Sequence, residues 1–75
     1  MAGKIIVTDH VKKRLKDVRQ SGILISDLIH AAGRIPGRVP VAARFRGFVA
    51  ATGRVFDIVI KDVAIGRLVI TVIGK

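Results

Sequence analysis

In the second half of the chain apolar residues alternate with polar ones at the spacing of half-buried strands, and turn-forming residues divide that half into three runs. Residues 41–51 and 54–61 flank Thr52-Gly53, which reads as a two-residue turn with glycine supplying a positive φ. Pairing outward from that turn sets Val49 against Phe56, Phe45 against Ile60 and Arg44 against Lys61. A second reversal, centred on Ala64 between Asp62 and Gly66, sets Lys61 against Arg67, Ile60 against Leu68 and Asp57 against Thr71. The two hairpins agree on one division of faces. Phe45, Val49, Phe56, Ile58, Ile60, Leu68, Ile70 and Val72 are expected to point inward, and Arg44, Arg46, Asp57, Lys61, Arg67 and Thr71 outward.

The first half changes period. Residues 4–7 read as a short strand or extended lead-in. Thr8 or Asp9 then offers an N-cap oxygen to a helix expected to run to about Arg19, with Val11, Leu15 and Val18 as its buried stripe and Lys12, Lys13, Lys16 and Arg19 elsewhere on its surface. Gln20-Ser21-Gly22 breaks that helix. A shorter one is expected from Ser26 to Gly33, with Ile25, Leu28, Ile29 and Ala32 as its apolar face and Gly33 as its stop. Residues 34–40 hold two prolines and a glycine, which excludes a helix and leaves a connection that exposes Arg34 and Arg38. The pattern predicts an α+β fold, with two N-terminal helices packed on one face of a curved antiparallel sheet of three to four strands.

Length limits this to a single domain over residues 1–75, close to the size at which an unstapled chain holds itself together. There is no cysteine, so disulfides and thiolate metal sites are ruled out. Apolar residues make up 51% of the chain, yet charges interrupt them too often for a membrane span of about 20 residues. Met1 to Lys4 is too short and too soon polar to read as a signal peptide. The charge says most about function. Fourteen Lys and Arg oppose five acidic residues, a formal net charge of +9, which favours polyanionic partners. A membrane surface competes with nucleic acid for that role. The cations, however, are spread over helix, loop and sheet instead of along one amphipathic helix, and this pattern favours nucleic acid.

The order of short motifs resembles a known family. Thr8-Asp9-His10 leads into a helix carrying Arg14, followed by Gly22-Ile23 and Ile25-Ser26-Asp27-Leu28-Ile29. The chain closes on Gly66-Arg67-Leu68-Val69-Ile70-Thr71-Val72, a valine-rich run holding one threonine. This arrangement resembles small toxin domains related to BrnT, within the RelE, barnase and colicin-like (BECR) group of ribonucleases. Residues 36–40 and the position of Arg19 depart from that pattern. The resemblance implies metal-independent cleavage of transfer or messenger RNA in the cytoplasm, with no cofactor and with an acidic antitoxin or immunity protein as the neutralising partner. It also implies that such a domain acts either beside an antitoxin or as the terminal part of a larger secreted protein.

Metal-free RNA cleavage needs a proton acceptor for the 2'-hydroxyl, a cation for the phosphoryl oxygens and a donor for the leaving oxygen. His10 is the leading proton carrier, since an imidazole exchanges its proton near neutrality; it reads equally as a surface residue of a first helical turn. Arg14, one turn on, can share its face and grip a phosphate with two parallel hydrogen bonds, or stay solvated. Thr71 completes the candidate catalytic set, against the plain reading of an outward strand position. Lys13, Arg44, Arg46, Lys61 and Arg67 are the candidate nucleic-acid-binding cations, and Asp57 reads as a neutraliser of Lys61 and Arg67. Phe48 is expected on the polar face, where its ring could stack on a base. His30 reads as a helix packing residue. No metal-ligand spacing, hydrolase triad or phosphate-binding glycine loop occurs. Two functions remain: a small ribonuclease toxin, or a noncatalytic nucleic-acid-binding or assembly module of the same fold.

Overall fold

In a computed structural model that describes residues 4–75, the chain runs β1 (Ile5–Val7), α1 (Asp9–Arg14), a 3-10 turn (Val18–Gln20), α2 (Ile25–Arg34), β2 (Ala43–Val49), β3 (Val55–Val63) and β4 (Gly66–Gly74). The reading of Met1 to Lys4 lies outside the described residues except at Lys4. The fold is α+β, with two helices and one four-stranded sheet in the order β1-β4-β3-β2. The sheet is mixed, which corrects the antiparallel expectation. β2, β3 and β4 are antiparallel, but β1 returns to the edge of β4 in parallel, pairing Ile5 with Arg67 and Val7 with Val69.

Both hairpins form, each in a register different from the expected one. At the first, Ala50 N–H donates to the Arg54 carbonyl and Gly53 N–H to the Ala50 carbonyl, closing a three-residue loop in which Gly53 has φ +90°. That single extra residue turns Val49 outward, opposite Val55, and turns Phe48 toward the core, where its ring lies 5.9 Å from Phe56. A bulge at Gly47, whose φ is +82°, then restores the expected faces, so that Phe45 meets Ile58 and Arg44 meets Val59. At the second hairpin Val63 meets Gly66, and Lys61 therefore faces Leu68 instead of Arg67. Leu68 leaves the core and Arg67 enters it. An irregularity between Val59 and Ile60 shifts the register once more, pairing Ile58 with Val72 and Val59 with Thr71.

The core gathers Val11 from α1, Leu28, Ala31 and Ala32 from α2, and Phe56, Ile58, Ile60, Val69 and Val72 from the sheet. Thr8 caps α1 as expected, its hydroxyl accepting from Val11 N–H. That helix stops at Arg14, well short of Arg19. Lys16 and Asp17 donate to carbonyls three residues back, tightening the last turn, and the Asp17 carboxylate then accepts from Arg19 N–H and starts the 3-10 turn. Val18 consequently falls off the expected stripe and is 83% exposed. In α2 the small Ala31 and Ala32 are buried, while Ile25 and Ile29, expected on the apolar face, stay partly exposed.

Arg67 joins these layers. It is only 8% exposed, and all five of its N–H donors are engaged. Nε and Nη2 hold the two Asp62 oxygens at 2.7 and 3.0 Å. Nη1 donates to the carbonyls of Ala32 and Ile35, and Nη2 also to Gly37, each at 2.7 Å. A side chain from β4 thus satisfies the carbonyl end of α2, a task expected of Gly33. Asp62 in turn accepts from Val39 N–H at 2.7 Å, which fastens the proline-rich connection to the same point.

Two stability measurements follow. Arg67→Ala leaves the α2 carbonyls and Asp62 without their partner, and urea unfolding should register a loss of about 3 kcal/mol. Arg38→Ala, at an exposed position, should stay within about 0.5 kcal/mol; equal losses would deny Arg67 this role. The second concerns acid. Hydrogen bonds from Arg67 and from Val39 N–H lower the Asp62 pKa from an ordinary 3.8 to about 2. The folded chain then binds this proton less readily than the unfolded chain, so the stabilisation is full above the ordinary value and is lost as pH falls from about 4 to about 2. Thermal midpoints of Asp62→Asn should therefore fall less steeply over that window than those of the parent chain, and parallel profiles would contradict the assignment.

Candidate nucleic-acid interface

β1 covers β4 only from Arg67 to Val69, and beyond it the backbone edge has no strand partner among the described residues. Side chains of the following segment take over. Thr8 donates to the Val69 carbonyl from both its N–H and its hydroxyl, at 3.4 and 3.1 Å. Arg14 Nε donates to the Val72 carbonyl at 2.6 Å, and the buried Gln20 accepts from Gly74 N–H at 2.8 Å. The segment from Thr8 to Gln20 thus runs beside the free edge and satisfies it, a common protection of an exposed strand. Arg54 adds a further tie, donating to the carbonyls of Arg19, Ser21 and Lys75.

The candidate catalytic residues are arranged around that edge. Arg14 is half-buried, and only its Nε is hydrogen-bonded among the described residues. Thr71 immediately precedes the carbonyl that Arg14 holds; it is half-buried and pairs with Val59. His10 lies in the first turn of α1, exposed, one helical turn before Arg14 and on the same side of Val11. Arg14 and Thr71 are brought to the same stretch of β4. No hydrogen bond links His10 to either among the described residues. Lys13 is exposed on α1, away from the buried Val11.

The cations of the sheet divide differently from expectation. Arg67 is removed from the candidate binding set, because its donors are used inside the fold. Arg44 holds Asp57 through Nε and Nη2 at 3.1 and 2.7 Å, while Lys75 Nζ approaches the same oxygen at 3.3 Å. The other Asp57 oxygen accepts from Gly47 N–H at 3.1 Å, tying the carboxylate to the bulge. Asp57 is thereby 1% exposed. Burial on its own would raise its pKa, but the hydrogen bonds from Arg44, Gly47 and Lys75 outweigh that and hold it below the ordinary value. Asp57 neutralises Arg44 and Lys75, not Lys61 and Arg67. Lys61 and Arg46 stay exposed.

Two clefts flank these elements. One, about 540 Å³, lies between the end of α2, residues 36–38 and the β3–β4 turn, and includes Arg38 and the Asp62–Arg67 pair. The other, about 720 Å³, lies between α2 and β2, where His30 and Arg34 face Arg46 and Phe48. Sequence reasoning passed over His30 and Arg34 as binding residues. Two signals mark them: their spacing of four on one helix, and the isolated Gly47 beside Arg46, which announces a bulge.

Among the described residues no group of three or more His, Cys, Asp or Glu side chains could hold a metal ion. Among the same residues no helix is long and apolar enough to cross a membrane. Comparison of the chain with protein-family models, with curated proteins and with solved structures gave no match.

Proposed function

We propose that this chain is a small basic ribonuclease toxin that cleaves RNA without a metal, at the edge where α1 meets β4. The observation that carries the reading is the hydrogen bond from Arg14 Nε to the Val72 carbonyl, which anchors the His10–Arg14 side of α1 beside Thr71. In the reaction His10 accepts the proton of a 2'-hydroxyl. The 2'-oxygen forms a bond to the adjacent phosphorus and the bond to the 5'-oxygen breaks, leaving a 2',3'-cyclic phosphate. The departing oxygen takes a proton from solvent and becomes a 5'-hydroxyl. The remaining Arg14 donors and the Thr71 hydroxyl steady the phosphoryl oxygens as negative charge gathers there.

The same reading takes both helices to pack on one side of a curved sheet. It places the activity in the cytoplasm, reached directly or by delivery as the end of a secreted protein. An acidic antitoxin or immunity protein then acts by covering a chain whose formal charge is +9. A noncatalytic RNA-binding or assembly role is favoured by one observation, the absence of a hydrogen bond from His10 to Arg14 or Thr71 among the described residues.

Incubating the purified chain with total RNA in excess chelator, and mapping the new ends, separates the two. Fragments with cyclic-phosphate and 5'-hydroxyl ends are expected, with the rate for His10→Ala lowered by at least about 100-fold and its fold retained. Thr71→Val should also be slower. Cleavage by His10→Ala at the parent rate, or RNA retained intact by the parent chain, would overturn the ribonuclease reading.

A further inference from the structure

The arginines of this chain fall into two groups. Arg14, Arg19, Arg44, Arg54 and Arg67 are hydrogen-bonded to other groups of the fold. Arg34, Arg38 and Arg46 are exposed, and their side chains make no hydrogen bond or ion pair with another described residue. A guanidinium with its planar fork unengaged is the side chain best suited to a phosphate, since it can donate two parallel hydrogen bonds to it. Two of the three, Arg34 and Arg46, line the same cleft between α2 and β2.

The chemistry of that cleft is specific. His30 and Arg34 stand one turn apart on α2, and Arg46 stands on β2 next to the Gly47 bulge. Phe48 forms an apolar wall, its ring held at 5.9 Å from Phe56. Asp27 also lines the cleft, but its two oxygens are committed, one accepting from Leu24 N–H at 2.8 Å and the other from Ala51 N–H at 3.0 Å. The two arginines therefore outnumber the one carboxylate. A volume of about 720 Å³ lies within the range of about 300–1,000 Å³ typical of small-molecule sites.

We infer that this cleft is a second nucleic-acid subsite, separate from the α1–β4 edge, which seats one nucleotide of single-stranded RNA with its phosphate between Arg34 and Arg46 and its base against Phe48. His30 donates or accepts at the rim of the same nucleotide. An aromatic wall beside paired cations is the arrangement by which proteins hold single strands without reading long sequences. The inference rests on RNA as the ligand but not on its cleavage, so either can fail without the other.

Fluorescence anisotropy with a labelled 12-nucleotide single-stranded RNA, in the full-length His10→Ala chain and in chelator, tests it. Arg34→Gln and Arg46→Gln should each weaken binding about five- to tenfold and reduce the slope of log affinity against log salt by about one. Arg38→Gln, outside the cleft but also exposed, should change affinity less than about twofold. An abasic oligomer of the same length should bind at least about fivefold more weakly, given the usual strength of base stacking. Equal weakening by all three arginine variants would reduce the cleft to general surface charge. Equal binding of the abasic oligomer would overturn the nucleotide assignment in favour of phosphate alone.

Discussion

The five-donor network of Arg67 is the constraint on which the remaining structure depends. A cation on the core side of β4 would ordinarily be a fault in a domain of this size, because an unpaired buried charge costs several kcal/mol. Here it is fully engaged. One guanidinium joins β4 to its neighbour through Asp62, closes the carbonyl end of α2, and reaches Gly37 in the connection that leads to β2. α2, the proline-rich connection and the β3–β4 hairpin thus share one polar centre. A 75-residue chain can bury only a small core, and this polar centre holds together elements that a larger core would join by packing.

The same economy divides the cations of the molecule. Arginines that satisfy carbonyls or carboxylates fix the positions of α1, the sheet edge and the bulge. Those with no such partner sit on the surface, and two of them share a cleft. A net charge of +9 alone would suggest binding anywhere. The hydrogen bonds show which arginine side chains are already engaged, and the proposed subsite uses two that are not. Asp57 illustrates the coupling, for its buried carboxylate holds Arg44 and Lys75 on one side and the Gly47 amide on the other. The bulge it stabilises is flanked by Arg46 and Phe48, so a structural carboxylate helps to shape the proposed subsite.

Periodicity carried the element types. β1, α2 and the three long strands lie close to where alternation and turn residues place them, and Thr8 caps α1 as its position implies. Registers were harder to read, for a definite physical reason. Thr52-Gly53 is compatible with a two- or a three-residue loop, and side chains alternate with period two, so one extra loop residue exchanges Val49 with Phe48. The same single-residue slip at Ala64 carried Arg67 inward and Leu68 outward. Hydrophobic patterning expects arginine outside, and nothing local in the sequence announces that the carbonyls of Ala32, Ile35 and Gly37 need a donor from β4. The early end of α1 was similarly hidden, because it depends on Asp17 bonding its own backbone neighbours. Motif order grouped Arg14 with Thr71, and the fold brings both to one stretch of β4, whereas His30 and Arg34 become neighbours of Arg46 only when the sheet is folded.

The fold uses the donors of Arg67 and Arg44, leaves the side chains of Arg34 and Arg46 free among the described residues for the proposed subsite, and holds Arg14 by Nε alone, and the Nε–H signals of the guanidinium groups report this directly. In ¹⁵N-detected exchange spectra of the full chain, Arg67 and Arg44 should show slowly exchanging Nε–H groups that are unmoved by single-stranded RNA, while those of Arg34 and Arg46 exchange fast and shift when RNA is added. Rapid exchange at Arg67, or RNA-dependent shifts at Arg67 with none at Arg34 and Arg46, would contradict the account.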